Sequence, residues 1–144
     1  MSKRYISTED QEQIKTRAAH RCEYCQSWAS YSAQSFVYEH IIPVVKGGET
    51  HLNNLCYACG GCNGHKYTKT ESIDPVSKLV VSLYNPRTQN WHEHFGWGDD
   101  YLHVIGLTPT GRATVLALKM NRQGVINIRT LLLMVGKQPP SKQM

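Results

Sequence analysis

The spacing of apolar residues predicts two short strands and a short helix in the first half of the chain. Positions 35–42 alternate between the two faces of a strand, and Pro43 ends it. Positions 54–58 predict a second strand, and positions 63–69 predict a short helix. A strand, a loop, a strand and a helix in this order predict a compact ββα unit.

The remaining segments predict a helix before this unit and a mixed extension after it. A cap at Ser7 or Thr8 starts a helix that runs to about Ala19. Beyond residue 75 the pattern predicts a strand over 79–84, a hairpin with arms at 91–97 and 101–107, and helices over 110–121 and 125–135. The predicted fold class is therefore α+β, with a core over residues 1–72 and a C-terminal β-hairpin and helical extension over residues 73–144, packed on the core.

Composition and charge narrow the class of protein. The chain has 144 residues, the size of one domain, and a net charge of +5, which favours an acidic partner such as nucleic acid. The first ten residues lack the apolar run of a secretory signal, and the apolar run at 131–135 is too short to cross a bilayer. We therefore expect a cytoplasmic protein without a membrane partner, in which reduced cysteines bind metal rather than form disulfides.

Four of the five cysteines stand in two Cys-x2-Cys pairs. The pairs are Cys22 with Cys25 and Cys59 with Cys62. This spacing is typical of a closed, tetrahedral, four-thiolate zinc site, which stabilises structure and does no chemistry. The fifth cysteine, Cys56, falls outside both pairs and is expected to be a small buried side chain. The zinc site is thus predicted to staple the ββα core.

One continuous pattern carries a resemblance to a known family. It reads Glu39-His40-Ile41-Ile42-Pro43-x3-Gly47-Gly48-x5-Asn54-Leu55-x3-Cys59-x2-Cys62-Asn63-x2-Lys66. With both cysteine pairs, the segment from about residue 17 to 70 resembles the zinc-ribbon, four-cysteine subtype of the HNH endonucleases. The second half, with Leu83-Tyr84-Asn85-Pro86-Arg87, is similar to an uncharacterised bacterial HNH group. The resemblance implies a metal-dependent nuclease that hydrolyses DNA phosphodiesters with one catalytic metal ion.

The residues themselves indicate how such a reaction would be divided among side chains. An imidazole takes a proton from water near neutral pH, so His40 is the predicted general base, as the resemblance also implies. Glu39 is its neighbour on the strand and starts on the opposite face. The resemblance makes Glu39 and Asn63 ligands of a catalytic divalent ion, and their oxygen atoms suit Mg²⁺ or Mn²⁺. It also gives Asn54 a supporting role, as a hydrogen-bonded brace across the loop that follows His40.

Two lysines and a second histidine complete the candidates. Lys66 lies three residues after Asn63, on nearly the same helix face, and is predicted with Lys69 to contact nucleic-acid phosphates, although both could equally be solvated charges. His65 is the alternative to Asn63 at the metal, but it lies about 200° round the helix from Asn63. The commonest family pattern has aspartate at the place of Glu39 and often histidine at the place of Asn63. The alternative function is a non-catalytic zinc-ribbon module that binds nucleic acid on the same scaffold.

Overall fold

A computed structural model describes residues 5–141, and this part of the chain is an α+β fold of five helices and three two-stranded antiparallel sheets. The helices are α1 (Thr8–Arg17), α2 (Gly60–Lys66), α3 (Trp91–His94), α4 (Pro109–Ala117) and α5 (Gln123–Met134). The strands are β1 (Phe36–His40), β2 (Leu55–Cys59), β3 (Glu71–Ile73), β4 (Val80–Ser82), β5 (Phe95–Trp97) and β6 (Val104–Gly106). The predicted fold class is confirmed.

The ββα unit is formed by β1, β2 and α2. The two strands pair in an antiparallel register that runs from Phe36 opposite Cys59 to His40 opposite Leu55. Helix α2 follows β2 without a connecting residue, because the Cys59 sulfur caps it by accepting a hydrogen bond from the backbone N–H of Cys62. The helix therefore begins at Gly60, three residues before its predicted start, since the metal-binding turn is also its first turn.

The helix that precedes this unit follows its sequence signals. The Ser7 hydroxyl accepts a hydrogen bond from the backbone N–H of Asp10, which makes Ser7 the cap of α1. The helix ends at Arg17 rather than near Ala19, because Ala19 and His20 adopt positive φ values of 53° and 58°. Ile14 and Ala18 bury the inner face of this segment against β2.

Two segments of the second half differ from the prediction. The stretch predicted as the first arm of a hairpin is divided into α3 and the short strand β5. The Asn90 side chain caps α3 by accepting from the backbone N–H of His92. The segment 70–78 contributes β3, which the sequence analysis missed and which pairs with β4. The pairing of β5 with β6 agrees with the predicted hairpin.

The main hydrophobic cluster contains side chains from both halves of the chain. It joins the four paired cysteines and Ile41 to buried residues of the second half, which include Leu83, Trp91, Phe95, Val104 and Met120. The 1–72 and 73–144 division remains a prediction, and the β3–β4 hairpin crosses that boundary. In the part of the chain that the structure describes, no helix is long and apolar enough to span a membrane.

Candidate metal centre and catalytic cleft

The two Cys-x2-Cys pairs form one buried cluster. The ligand atoms of Cys22, Cys25, Cys59 and Cys62 all lie within 4.8 Å of one another. The sulfur atoms of Cys25 and Cys59 are 3.7 Å apart. A tetrahedral zinc ion with Zn–S bonds of about 2.3 Å would separate its sulfur ligands by about 3.8 Å, so the cluster fits this ion. The predicted four-cysteine metal site is confirmed as an arrangement able to hold a structural metal such as zinc.

Two arginines of the second half attach to this centre. Arg122 donates to the sulfur of Cys59 at 3.2 Å and to that of Cys62 at 3.6 Å. Arg129, which is buried, donates to the carbonyl of Cys25 at 3.1 Å and lies over the Trp97 ring. Four thiolates around Zn²⁺ carry a net negative charge, and a guanidinium beside them offsets part of it. The extension is thus bonded to the metal centre, which nothing in the local sequence around either arginine indicated.

A cleft of about 260 Å³ is lined by residues of β1, of α2 and of the segments that follow them. Glu39, His40 and Asn63 all line it, whereas His65 is not among its lining residues. The ring nitrogen Nε2 of His40 lies 2.9 Å from the Thr50 hydroxyl, a contact that fixes the orientation of the ring. Thr50 was not singled out in the sequence, because its position in a long loop carries no periodic signal. The structure therefore brings the predicted general base, His40, and the two predicted metal ligands, Glu39 and Asn63, to one cleft, whereas Asn54 does not line it.

Glu39 takes part in a buried hydrogen-bond network. Its Oε2 accepts from the Tyr24 hydroxyl at 2.7 Å and from the Cys56 thiol at 3.2 Å. Its Oε1 lies 3.5 Å from the Lys66 ammonium and has no hydrogen-bond partner among the described residues. Lys66 also donates to the carbonyl of Ile41 at 2.8 Å. Cys56 is fully buried as predicted, and it is also a donor to the carboxylate.

Burial sets the protonation tendencies of this network. It raises the pKa of the Glu39 carboxyl, while the Lys66 charge and the hydrogen bonds from Tyr24 and Cys56 act in the opposite direction. Burial also raises the pKa of the Tyr24 hydroxyl well above its usual range, and the nearby Cys56 and Glu39 add to that rise. Tyr24 therefore remains a neutral donor. The positive charge of Lys66 stabilises the ionised form of the buried Glu39 carboxylate.

This geometry corrects the expectation for Lys66. Its side chain is 1 % exposed, and its ammonium is directed at Glu39 and at the Ile41 carbonyl, so it does not face a nucleic acid. The helix turn that places Lys66 near Asn63 points it into the protein, because β1 packs against that face of α2. Lys69 is exposed and donates to the His65 carbonyl at 3.1 Å, so a phosphate contact by Lys69 remains a prediction.

Asn54 braces the loop between β1 and β2. Its side-chain oxygen accepts from the Ile42 N–H at 2.9 Å, and its amide donates to the carbonyls of Ile42 at 3.0 Å and Glu49 at 2.8 Å. Gly48 is required at this point, because an added Cβ would lie 1.7 Å from the Ile42 carbonyl oxygen. Gly47 has a φ of 91°, which favours glycine. The loop that carries Thr50 to His40 is therefore closed by side-chain and backbone bonds.

We expect Asn54→Ala to lower the free energy of unfolding by about 1–3 kcal/mol, because it leaves backbone groups without partners. The orientation of the His40 ring should change as well, since the Thr50 contact to His40 depends on this loop. Urea unfolding and nuclear magnetic resonance of the His40 ring measure the two effects. The exposed neighbour Asn53 supplies the control Asn53→Ala, and equal losses in both variants would contradict the bracing role.

Comparison with known proteins identifies this region. The model of the family described as HNH endonuclease matches residues 22–69, which include both cysteine pairs, β1, β2 and α2. This match confirms the expected resemblance to the HNH endonucleases over residues 22–69, a third of the chain. Neither a search of curated proteins nor a search of solved structures gave a significant match.

Proposed function

We propose that the HNH domain of this chain is an active, metal-dependent endonuclease that hydrolyses DNA phosphodiester bonds. Family membership links the domain to nuclease-type chemistry on nucleic acid. The observation that carries the proposal is the convergence of His40, Glu39 and Asn63 on one cleft beside a structural metal centre. A histidine, a carboxylate and an amide oxygen are the groups that this hydrolysis requires.

The donor chemistry of the cleft fits a hard divalent ion. Glu39 Oε1 accepts no hydrogen bond in the described part of the chain, but it is buried and lies 3.5 Å from the Lys66 ammonium, which a metal ion bound there would displace. With the side-chain oxygen of Asn63, it would hold Mg²⁺ or Mn²⁺. When bound, the ion supplies positive charge that stabilises the phosphate and the departing oxygen.

His40 would act on the attacking water. Its imidazole accepts a proton as the water oxygen bonds to phosphorus, and the bond from phosphorus to the 3′ oxygen breaks. The 3′ oxygen leaves as an alkoxide and takes a proton from solvent water, so the products are a 5′-phosphate and a 3′-hydroxyl. The Thr50 contact at Nε2 and the Asn54 brace hold the ring in one orientation, which lowers the entropy lost in reaching the reactive arrangement.

The test is incubation of supercoiled plasmid with zinc-loaded protein and either Mg²⁺ or Mn²⁺. We expect relaxed and then linear product whose new ends carry 5′-phosphates. A protein preparation without added divalent ion serves as the control and should leave the plasmid intact. Absence of cleavage with every divalent ion would contradict the proposal.

One observation favours a second function, a module that binds nucleic acid without cutting it. The Glu39 carboxylate is only 4 % exposed and has a lysine beside it, which is also what a purely structural ion pair would show. In that case plasmid is retarded in a gel at low salt but is not cleaved. The plasmid experiment therefore separates the two functions.

Lys66 offers a direct test of Glu39 as a metal ligand. We expect Lys66→Met to lower the free energy of unfolding by about 3–5 kcal/mol without divalent ion, because it leaves a buried carboxylate unpaired. Mn²⁺ should recover part of that loss and should bind more tightly than to the unmodified protein, since a competing positive charge is gone. Thermal unfolding with and without Mn²⁺ measures both effects.

The exposed Lys69 supplies the matched control. Lys69→Met removes the same charge three residues away and should change stability by no more than about 0.5 kcal/mol. If Mn²⁺ stabilises the Lys66 and Lys69 variants equally, Glu39 is not a ligand.

A further inference from the structure

A second cavity, of about 400 Å³, lies away from the catalytic cleft and shares no lining residue with it. Its wall combines the end of α1, the segment after the first cysteine pair and the segment that precedes and begins α3. Arg17, Glu23 and Arg87 supply its charged groups, and Tyr84 and Trp91 supply aromatic surface. Its amide and imidazole groups come from Gln26, Gln89, Asn90 and His92. A cavity of this size can enclose a ligand as large as a nucleotide.

The charges in this wall do not balance. Both oxygens of the Glu23 carboxylate are used, because Oε1 accepts from Arg87 and Oε2 accepts from the backbone N–H of Tyr57 at 2.8 Å. Arg17 donates to the carbonyl of Leu55, which is neutral. One carboxylate therefore faces two guanidinium groups. Burial lowers the pKa of Arg17, and the charge of Arg87 lowers it further, which indicates that the two cations repel each other.

The same wall contains three donors without partners. Within residues 5–141, the Nε atoms of Arg17 and Arg87 and the amide nitrogen of Gln26 have no hydrogen-bond acceptor. Gln26 is only 6 % exposed. Unpartnered buried donors are costly and uncommon, so three in the wall of one cavity call for an acceptor that the chain does not provide.

We propose that this cavity binds a phosphate group, with Arg17, Arg87 and Gln26 as its donors. A phosphate carries negative charge and several acceptor oxygens, and planar guanidinium groups bind it well. It would therefore supply the acceptors that the three donors lack and neutralise the excess positive charge. The source of the phosphate is a nucleic-acid strand or a free nucleotide. A neighbouring groove shares Tyr84 and Gln89 with the cavity and extends to Ile42, two residues beyond His40. The groove thus begins beside the catalytic cleft in sequence and ends at the cavity, although it shares no lining residue with the cleft.

The proposal is tested by binding, without divalent ion, so its outcome does not depend on whether the protein cleaves DNA. The chain has seven arginines, and their Nε–H signals are resolved by nuclear magnetic resonance in arginine-labelled protein. We expect the Arg17 and Arg87 signals to shift saturably on titration with inorganic phosphate at constant ionic strength. Chloride at the same ionic strength should leave them unchanged, and acetate should bind more weakly.

Two further probes distinguish the source of the phosphate. The probes are a short single-stranded oligonucleotide and deoxyadenosine monophosphate. If the oligonucleotide shifts both arginine signals at the lower concentration, the source is a nucleic-acid strand. The reverse order identifies a free nucleotide. If none of the three phosphate probes shifts the signals, or if acetate binds as tightly as phosphate, the assignment is overturned, and the cavity holds water only or a different anion.

Variants connect the binding to named side chains. We expect Arg17→Gln and Gln26→Leu each to weaken phosphate binding by about tenfold, the loss typical of one hydrogen bond to a charged group. Lys137→Gln is the charge-matched control for Arg17→Gln, since Lys137 is exposed and does not line the cavity. Unchanged affinity in both cavity variants would contradict the proposal. If either variant does not fold, the arginine signals of the unmodified protein still decide the outcome.

Discussion

His40→Ala is expected to lower the rate of plasmid cleavage by about 10²–10⁴-fold, the usual contribution of a general base. The variant removes the group that accepts the proton of the attacking water and leaves the metal ligands in place. Its fold should be retained, because His40 is at the end of β1 and only half buried. Initial rates at saturating Mn²⁺, compared with those of the unmodified protein, measure the effect.

A histidine in the same loop region provides the control. The His51 side chain is exposed and contacts the exposed Glu49 carboxylate. The His51→Ala variant should therefore cleave at close to the rate of the unmodified protein. Added imidazole should partly restore cleavage by the His40 variant, because a free base can occupy the space that the ring leaves. Equal activity of the two variants would show that His40 is not the base.

Removal of the zinc site is expected to unfold the chain. Cys25→Ser deletes one of four ligands, and structural zinc in small domains contributes about 10–16 kcal/mol of binding free energy near neutral pH. That contribution exceeds or equals the whole stability of a typical domain. The four cysteines also belong to the cluster that joins both halves of the chain, so the loss should not remain local. Circular dichroism and zinc content by mass spectrometry measure the effect.

Cys56 supplies the matched control for the zinc prediction. It is as buried as the ligands but lies outside their cluster, so Cys56→Ser should keep one zinc ion per chain and a cooperative unfolding transition. A Cys25→Ser protein that still unfolds cooperatively near the temperature of the unmodified protein would contradict a structural role of the metal.

The zinc centre and the catalytic cleft are linked by the ββα unit. Cys59 ends β2 and caps α2, and Asn63 follows Cys62 within the same helix. The metal at one end of α2 therefore determines where Asn63 stands relative to β1. For this reason a partial loss of zinc should reduce cleavage and secondary structure in parallel.

Sequence reasoning failed where one pattern is compatible with two structures. Trp91 and Phe95 are four residues apart, a spacing that fits both an alternating strand and one face of a helix. The chain forms a helical turn here because the Asn90 side chain caps α3. Strand β3 was missed because Glu71 and Ile73 are exposed and show no apolar alternation. It forms by pairing with β4 in a local hairpin, in which Ile73 lies opposite Val80.

The sequence by itself determined the four cysteines of the metal site and the ββα order, and it predicted the roles of Glu39, His40 and Asn63. Ligand identity and spacing are local properties, so they can be read from residue types a few positions apart. Only the tertiary structure decided that Lys66 pairs with Glu39, that Arg122 and Arg129 attach to the metal centre, and that Arg17 and Arg87 share one cavity. A charged side chain on a helix or loop reaches several angstroms, and its partner is set by which surfaces pack together. Hydrophobic burial across both halves of the chain fixes that packing.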